Sequence, residues 1–296
     1  MNHWITAFRL RTLPLALSSI LMGSFLAYSK GIFRWDVCAL ALLTTLLLQI
    51  LSNLANDYGD TQNGADNELR SGPIRAVQSG AITKSSMLIA IVVFGILSLI
   101  SGLSLLCISL GGLNVKFLAF LALGIAAIAA AINYTAGKNP YGYLGLGDVS
   151  VFLFFGLVGV TGSTYLFTQT FEFSTLLPAY SCGVFAVAVL NLNNMRDIMA
   201  DTLAGKHTIP VRIGYNQAKY YHFFLIFTGF VAAITYHINY VGYSKVMLFL
   251  GVLILWSKDL VFLMQSNPSE NIDPLLKKTA LGTLLFVVLF GIGILI

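Results

Sequence analysis

The chain carries about nine separate apolar stretches, each near the roughly 20 residues needed to cross the hydrocarbon core of a bilayer. They fall near 13–30, 36–57, 86–109, 115–135, 148–168, 174–196, 219–238, 244–265 and 278–296. A bilayer interior offers no water, so a spanning backbone must satisfy its own N–H and C=O groups as a helix or a closed barrel. Barrel strands are only about ten residues long and alternate in polarity, and these runs do neither. The sequence therefore predicts an all-α, polytopic transmembrane helical bundle of about nine helices, forming one domain over residues 1–296. Gly, Pro, Asn and charged residues collect in the breaks between runs, as helix breakers and loop residues should.

Composition closes off the soluble classes. Only 10% of residues are charged and 57% are hydrophobic, with mean hydropathy +0.83, which leaves too little charge for the shell of a soluble domain. The net charge of +5 comes without a basic block, so nucleic acid is not an expected partner. Cys38, Cys107 and Cys182 lie inside apolar runs and form no CxxC, which argues against a disulfide framework or a thiolate metal site. Arg9 and Arg11 precede the first run, but no convincing small-residue cleavage site follows, and the segment reads as a first span rather than a signal peptide.

Thirteen of the seventeen Lys and Arg residues fall in one set of inter-helix loops; Lys30, Arg34, Lys116 and Lys245 fall in the other. The positive-inside bias then predicts a cytoplasmic N-terminus and a C-terminus on the far side.

Two polar stretches interrupt this apolar pattern, and both are predicted on the cytoplasmic face. The second run ends in Asn53-Leu-Ala-Asn-Asp-Tyr-Gly-Asp60, followed in the loop by Asp66. At 3.6 residues per turn Asn53, Asp57 and Asp60 share a helix face, with Asn56 at its edge. The sixth run ends in Asn193-Asn-Met-Arg-Asp-Ile-Met-Ala-Asp201, where Asn193, Asp197 and Asp201 form a second stripe. Charge at bilayer depth costs roughly 2.5–3.5 kcal/mol per residue on insertion scales, and neighbouring carboxylates repel. A hard divalent cation resolves both problems. Mg²⁺ suits such oxygen ligands and commonly completes its shell with water and substrate phosphate. Arg70 and Arg75 after the first stripe, and Arg196, Lys206 and Arg212 around the second, supply guanidinium and ammonium groups for phosphate oxygens. A Mg²⁺-bridged diphosphate would satisfy these charges together.

An ion or proton pathway is the competing functional reading, since intramembrane carboxylates also mark transporters. The carboxylates at helix ends, rather than at midspan, favour an interfacial binding site. Asn53-Leu-Ala-Asn56 and Asn191-Leu-Asn-Asn194 also resemble each other, four residues that hint at a duplicated half.

The two aspartate-rich stretches resemble those of the UbiA intramembrane prenyltransferase superfamily. Within it, Arg11-Thr-Leu-Pro14, Ser71-Gly-Pro-Ile-Arg-Ala76, Tyr134-Thr-Ala-Gly-Lys138, Pro140-Tyr-Gly-Tyr-Leu-Gly-Leu-Gly-Asp148 and Gly205-Lys-His-Thr208 are similar to the 1,4-dihydroxy-2-naphthoate polyprenyltransferase branch. The likeness runs in order over nearly the whole chain. The resemblance implies a nine-helix, Mg²⁺-dependent enzyme of a bacterial cytoplasmic (inner) membrane. It would transfer a polyprenyl group from polyprenyl diphosphate to 1,4-dihydroxy-2-naphthoate, with loss of CO₂, to make demethylmenaquinone. A sister enzyme with another acceptor, such as 4-hydroxybenzoate or homogentisate, is the nearest alternative.

On that reading Asp57, Asp60 and Asp66 hold metal on one side, and Asp197 and Asp201 on the other. Asn53, Asn56 and Asn193 orient ligands or bind metal directly. Tyr134 and Tyr143 line the reacting pocket, where their π faces can stabilise a cation. Arg9, Arg11 and Lys138 are candidates for the acceptor carboxylate, and Asp148 for holding Lys138 or accepting a hydroxyl proton. The prenyl tail requires an apolar channel, with helix residues such as Val151 to Gly162 along it, open toward membrane lipid. No obligatory protein partner is inferred.

Overall fold

The computed structural model describes residues 3–64, 72, 75–137, 139–242 and 246–296. Among the described residues, nine helices are long and apolar enough to cross a membrane, and there are no strands. In chain order they are α1 (His3–Ser29), α2 (Trp35–Gln62), α3 (Lys84–Leu110), α4 (Val115–Asn133), α5 (Gly147–Thr168), α6 (Phe173–Arg196), α7 (Tyr215–Val241), α8 (Leu248–Gln265) and α9 (Asp273–Leu295). Two short helical turns, Ile198–Leu203 and Ile209–Ile213, lie between α6 and α7.

Several helices run past the limits that hydropathy alone suggested. α2 continues through both carboxylates of its polar stretch to Gln62, and α9 begins at Asp273, five residues before the apolar run starts at 278. A window of apolar residues ends where polar side chains begin. The helix does not end there, because those side chains find buried partners inside the bundle and leave the backbone ladder intact.

Two departures from regular winding lie beside the main cavity. α1 breaks at Arg9, held in the left-handed region at φ 50°, ψ 60°, and resumes through a tight turn at Leu10–Thr12. The middle of α5, Phe152–Gly162, is π-wound. Such windings tend to occur beside functional sites, and both borders here line the main cavity.

α6 is the hub of one half of the bundle, packing on α5, α7 and α9, while α2, α3 and α4 form the other half and α1 bridges them. In a membrane, close backbone approach replaces hydrophobic expulsion as the source of helix association. Gly156 of α5 and Gly183 of α6 meet in that way: a methyl added at Gly156 would lie 2.7 Å from the Ala179 carbonyl oxygen and 2.8 Å from the Gly183 Cα. On the other flank of α6, Phe185 stacks edge-on with Trp256 and Phe286, at centroid distances of 5.3 and 4.9 Å, inside a fully buried aromatic cluster. Such ring pairs are worth about 0.5–1.5 kcal/mol each beyond their buried area. This rigid half holds the second polar stretch, at the end of α6, in a fixed position.

Candidate active site

One cavity of about 430 Å³ lies between the two halves. Its charged lining residues are Arg9, Arg11, Asp60, Arg75, Asp197, Asp201, Lys206 and Lys277. These come from the starts of α1 and α9, the ends of α2 and α6, and the loops beside them, which alternation along the chain places at one end of the bundle. Away from these charges and the amides beside them the wall is mostly apolar, with Leu99, Leu103 and Leu106 of α3, Leu121 and Gly124 of α4, and Val158, Gly162 and Leu166 of α5.

The sequence expectation for α2 is shifted by one position on the helix. Asn53, Asn56 and Asp60 line the cavity, whereas Asp57 does not. Asp57 accepts the backbone N–H groups of Ala76 and Val77, at 3.0 and 3.1 Å, and so anchors the loop that carries Arg75. Asn53 lines the cavity and also holds α1, its amide N–H₂ donating to the Phe8 carbonyl (2.9 Å) and to Thr12 Oγ1 (3.0 Å). It clamps the left-handed turn at Arg9. Asp60 is the acid of this helix that meets cations inside the cavity: Arg75 Nη2 donates to Oδ2 at 2.9 Å, and Lys206 Nζ to Oδ1 at 2.9 Å. Tyr143 donates its hydroxyl to the same oxygen, at 3.1 Å, and Lys206 lies 4.7 Å from the centre of the Tyr143 ring.

The facing stripe behaves as its spacing suggested. Asn193, Asp197 and Asp201 all line the cavity, joined by Asn194. Asp197 is gripped by Arg196 through two parallel bonds, Nε to Oδ1 at 2.9 Å and Nη2 to Oδ2 at 2.5 Å. Asp201 lies 3.4 Å from Lys206 Nζ, so this one ammonium bridges an acid of each stripe. Burial pushes Asp201 up to about 6, with Lys206 restraining the rise and Asp197 and Asp60 adding to it. Burial acts to lower Lys206, but Asp60 and Asp201 outweigh it and hold the ammonium above its ordinary value. Tyr134 is driven far upward, first by burial and then by the charge of Asp148, so it stays a neutral phenol.

The sign of the Asp201 shift has a measurable consequence. Folded protein takes up a proton between about pH 6 and pH 4 that the unfolded chain, with its ordinary carboxylate pKa, does not. Ionised Asp201 thus costs stability above about pH 6, and the cost is relieved on acidification. A divalent cation requires the ionised form. Its affinity is therefore expected to fall below pH 6, and its binding near pH 6 to release a proton, measurable by calorimetry in two buffers of different ionisation enthalpy.

The segment between α4 and α5 packs against the end of α2 at the site. Gly59 lies so near the Thr135 backbone that an added methyl would sit 2.5 Å from its carbonyl carbon and oxygen. Asn63 donates to the Thr135 carbonyl at 2.8 Å, and Thr135 donates to Asn56 Oδ1 at 3.0 Å. This docking brings Tyr134, Tyr141 and Tyr143 to the cavity wall. Arg212, expected near phosphate, instead donates to the carbonyls of His207 (2.8 Å) and Leu144 (2.7 Å) and staples two loops together. Asp148 is likewise away from the cavity wall, accepting the Tyr221 hydroxyl at 2.8 Å. Arg9 and Arg11 line the cavity; Arg196 stands behind it. Asp66, Arg70 and Lys138 lie outside the described residues.

Residues 16–276 match the UbiA prenyltransferase family. The chain belongs to that family. Among its relatives in the family, the 1,4-dihydroxy-2-naphthoate octaprenyltransferase of Haemophilus influenzae is 44% identical, over 100% of this chain and 96% of that protein. The Escherichia coli enzyme of the same description is 43% identical, over 98% and 94%. The fold is also that of solved family members. An apo UbiA homologue from Aeropyrum pernix K1 superposes with a TM-score of 0.65 at 17% identity, covering 97% of this chain and 98% of that one. A UbiA homologue from Archaeoglobus fulgidus, described as bound to DMAPP and Mg²⁺, gives 0.61 at 15% identity, covering 100% and 99%.

Sequence reasoning missed several residues of this family site. Thr12 and Gln49 join the Asn53 clamp, with Gln49 Nε2 3.3 Å from both Thr12 Oγ1 and Asn53 Oδ1. Asn194 lines the cavity as Asn56 does, while Asn191 donates to the Ala218 carbonyl at 3.0 Å much as Asn53 ties down α1. The parallel between the two Asn-Leu-x-Asn stretches was the available signal: first Asn as clamp, last Asn as lining. Asp273 had no local signal at all.

Proposed function

We propose that this chain transfers a polyprenyl group from polyprenyl diphosphate to 1,4-dihydroxy-2-naphthoate, with loss of the carboxyl group as CO₂, as a multi-pass enzyme of a bacterial cytoplasmic membrane. The observation that carries the reaction class is the cavity itself, in which a carboxylate- and amide-lined polar end opens into an apolar compartment without an intervening wall. That shape fits a substrate with a diphosphate head and a hydrocarbon tail. The choice of acceptor rests on the full-length likeness to the two octaprenyltransferases. A transporter is disfavoured, because among the described residues the charged lining lies at one end and the remaining wall is mostly apolar.

The donor set suits Mg²⁺. Among the described residues, no three His, Cys, Asp or Glu side chains are grouped closely enough to hold an ion by themselves. Mg²⁺ asks for less, since one or two carboxylates plus phosphate oxygens and water are its usual complement. Asp60, Asp197 and Asp201 would hold it, with Asn56, Asn193 and Asn194 as amide donors and Asp66 as a further candidate. Bound there, Mg²⁺ would polarise the diphosphate and neutralise the charge that grows on it.

The chain's own residues do the rest. Arg75 and Lys206, both now on Asp60, are placed to turn to phosphate oxygens as the C–O bond to the allylic carbon breaks. Arg70 is a further candidate for those oxygens. The ring faces of Tyr134 and Tyr143 stabilise the allylic cation, and the apolar wall excludes the water that would quench it. The naphthoate ring then forms the new C–C bond. Arg9 and Arg11, held by the Asn53–Thr12 clamp and by Asp273, face the acceptor's carboxylate, and Lys138 remains a third candidate. Asp57, Arg212 and Asp148 support the surrounding loops and helices. The site faces the cytoplasm on this reading, which the thirteen loop cations at this end support.

The test is an assay in membranes with polyprenyl diphosphate and Mg²⁺, offering 1,4-dihydroxy-2-naphthoate and 4-hydroxybenzoate in turn. Prenylated naphthoquinol, read as the quinone after air oxidation, with CO₂ release from the first alone and lost on chelation with EDTA, is the expected outcome. Prenylation of 4-hydroxybenzoate instead would move the chain to a sister activity.

A further inference from the structure

Asp273, the first residue of α9, ties three helices together behind the metal end of the cavity. Its Oδ1 accepts from Arg196 Nη1, and Arg11 Nη1 donates to Oδ1 at 3.1 Å and to Oδ2 at 3.0 Å. Arg196, its side chain 2% exposed, forks onto Asp197 with its other nitrogens and also reaches Asn193 Oδ1 at 2.9 Å. The charge of one buried guanidinium is thus divided between a carboxylate that lines the cavity and one that stands behind it.

We propose that Asp273 is a positioning residue for the divalent cation: by holding Arg196 and Arg11 it keeps Asp197 aimed into the cavity and electrically available to metal. The inference rests on the metal–diphosphate reading of the site. Asp197 and Asp273 together balance Arg196 and Arg11. A cation entering beside Asp197 needs the attraction that Arg196 also claims, and Asp273 is the second carboxylate to which Arg196 can lean. Without it, one positive charge stands uncompensated beside the site and Arg196 draws wholly on Asp197. Both effects weaken divalent-cation binding. An acid in the first turn of a helix also interacts with the macrodipole, but that contribution acts on stability and leaves the metal requirement unchanged.

The experiment uses the full chain in nanodiscs and follows the unfolding temperature as Mg²⁺ is titrated at a fixed concentration of inorganic diphosphate. Partners behind a metal ligand typically change metal affinity by about 10–100-fold, and Asp273→Asn is expected to raise the Mg²⁺ midpoint by that factor. Asp273→Glu, which keeps the charge, should stay close to wild type. If Asp273→Asn cannot be recovered folded, the double variant Asp273→Asn/Arg11→Gln restores the local charge balance while still depriving Arg196 of its second carboxylate, and it should show a raised midpoint too. A wild-type midpoint in either variant, even with a lowered unfolding temperature, overturns the inference alone. No Mg²⁺- and diphosphate-dependent shift in the wild-type protein overturns the site reading as well.

Discussion

Replacing Asp60 with alanine is expected to lower the prenyl-transfer rate by about 10³-fold while leaving an inserted, folded protein. The carboxylate lines the cavity and is the meeting point of Arg75, Lys206 and Tyr143. Its loss removes the carboxylate proposed as a metal donor and leaves Arg75 and Lys206 without the acid that spaces them. Asp57→Ala is expected to behave differently, although the two acids are only three residues apart. Its carboxylate holds the N–H groups of Ala76 and Val77, both buried. Leaving such donors unpaired costs about 1–3 kcal/mol each. The effect should appear as a lower unfolding temperature and a higher KM for the diphosphate substrate, as the loop bearing Arg75 loosens. A steady-state comparison of the two variants in one membrane preparation decides the matter. A larger kcat loss in Asp57→Ala than in Asp60→Ala would return Asp57 to the metal ligands.

Gly59→Ala is expected to be almost as damaging, from a change of one methyl group. The added carbon would sit 2.5 Å from backbone atoms of Thr135, which cannot move as the end of a flexible side chain can. Over-packing of this kind costs about 1–3 kcal/mol. The functional cost is larger, because the displaced segment carries Tyr134, Tyr141 and Tyr143 and is docked by the Asn63 and Thr135 hydrogen bonds. A misplacement of about 1 Å in a catalytic constellation can cost about 10²-fold. Both the unfolding temperature and kcat should fall. A variant with wild-type kcat would mean that the loop does not set the geometry of the reaction.

These two positions also mark how far the sequence was legible. The spans could be read because bilayer thickness imposes one length on every helix, and the two polar stretches could be read because charge is rare at that depth. The orientation of individual acids could not. Asp57 and Asp60 lie roughly 60° apart around the helix axis, and Asn56 and Asp60 roughly 40°. A face chosen by its carboxylates centres near Asn53 and takes in Asp57, whereas the cavity face is turned toward Asn56 and Asp60. Only the packing of the 75–77 loop, whose backbone N–H groups claim Asp57, distinguishes the two choices. The same limit hid Arg212 and Asp148, whose charges suggested substrate contacts but which serve neighbouring carbonyls and Tyr221. Asp273 shows the limit most plainly: it meets Arg11 across 262 positions in sequence, and no periodicity links them. The second stripe was read more closely because Asn193, Asp197 and Asp201 follow one another into the cavity across the break at Asp197.

Carboxylates from two helix ends are proposed to hold one metal–diphosphate group between them. The most direct test is equilibrium binding of a non-ionising polyprenyl thiolodiphosphate to the wild-type protein, Asp60→Asn and Asp197→Asn, each with and without Mg²⁺. Mg²⁺-dependent binding to the wild type is expected, with loss of that dependence in both variants. Binding that ignores Mg²⁺, or that survives intact when either helix end loses its acid, would contradict this proposal.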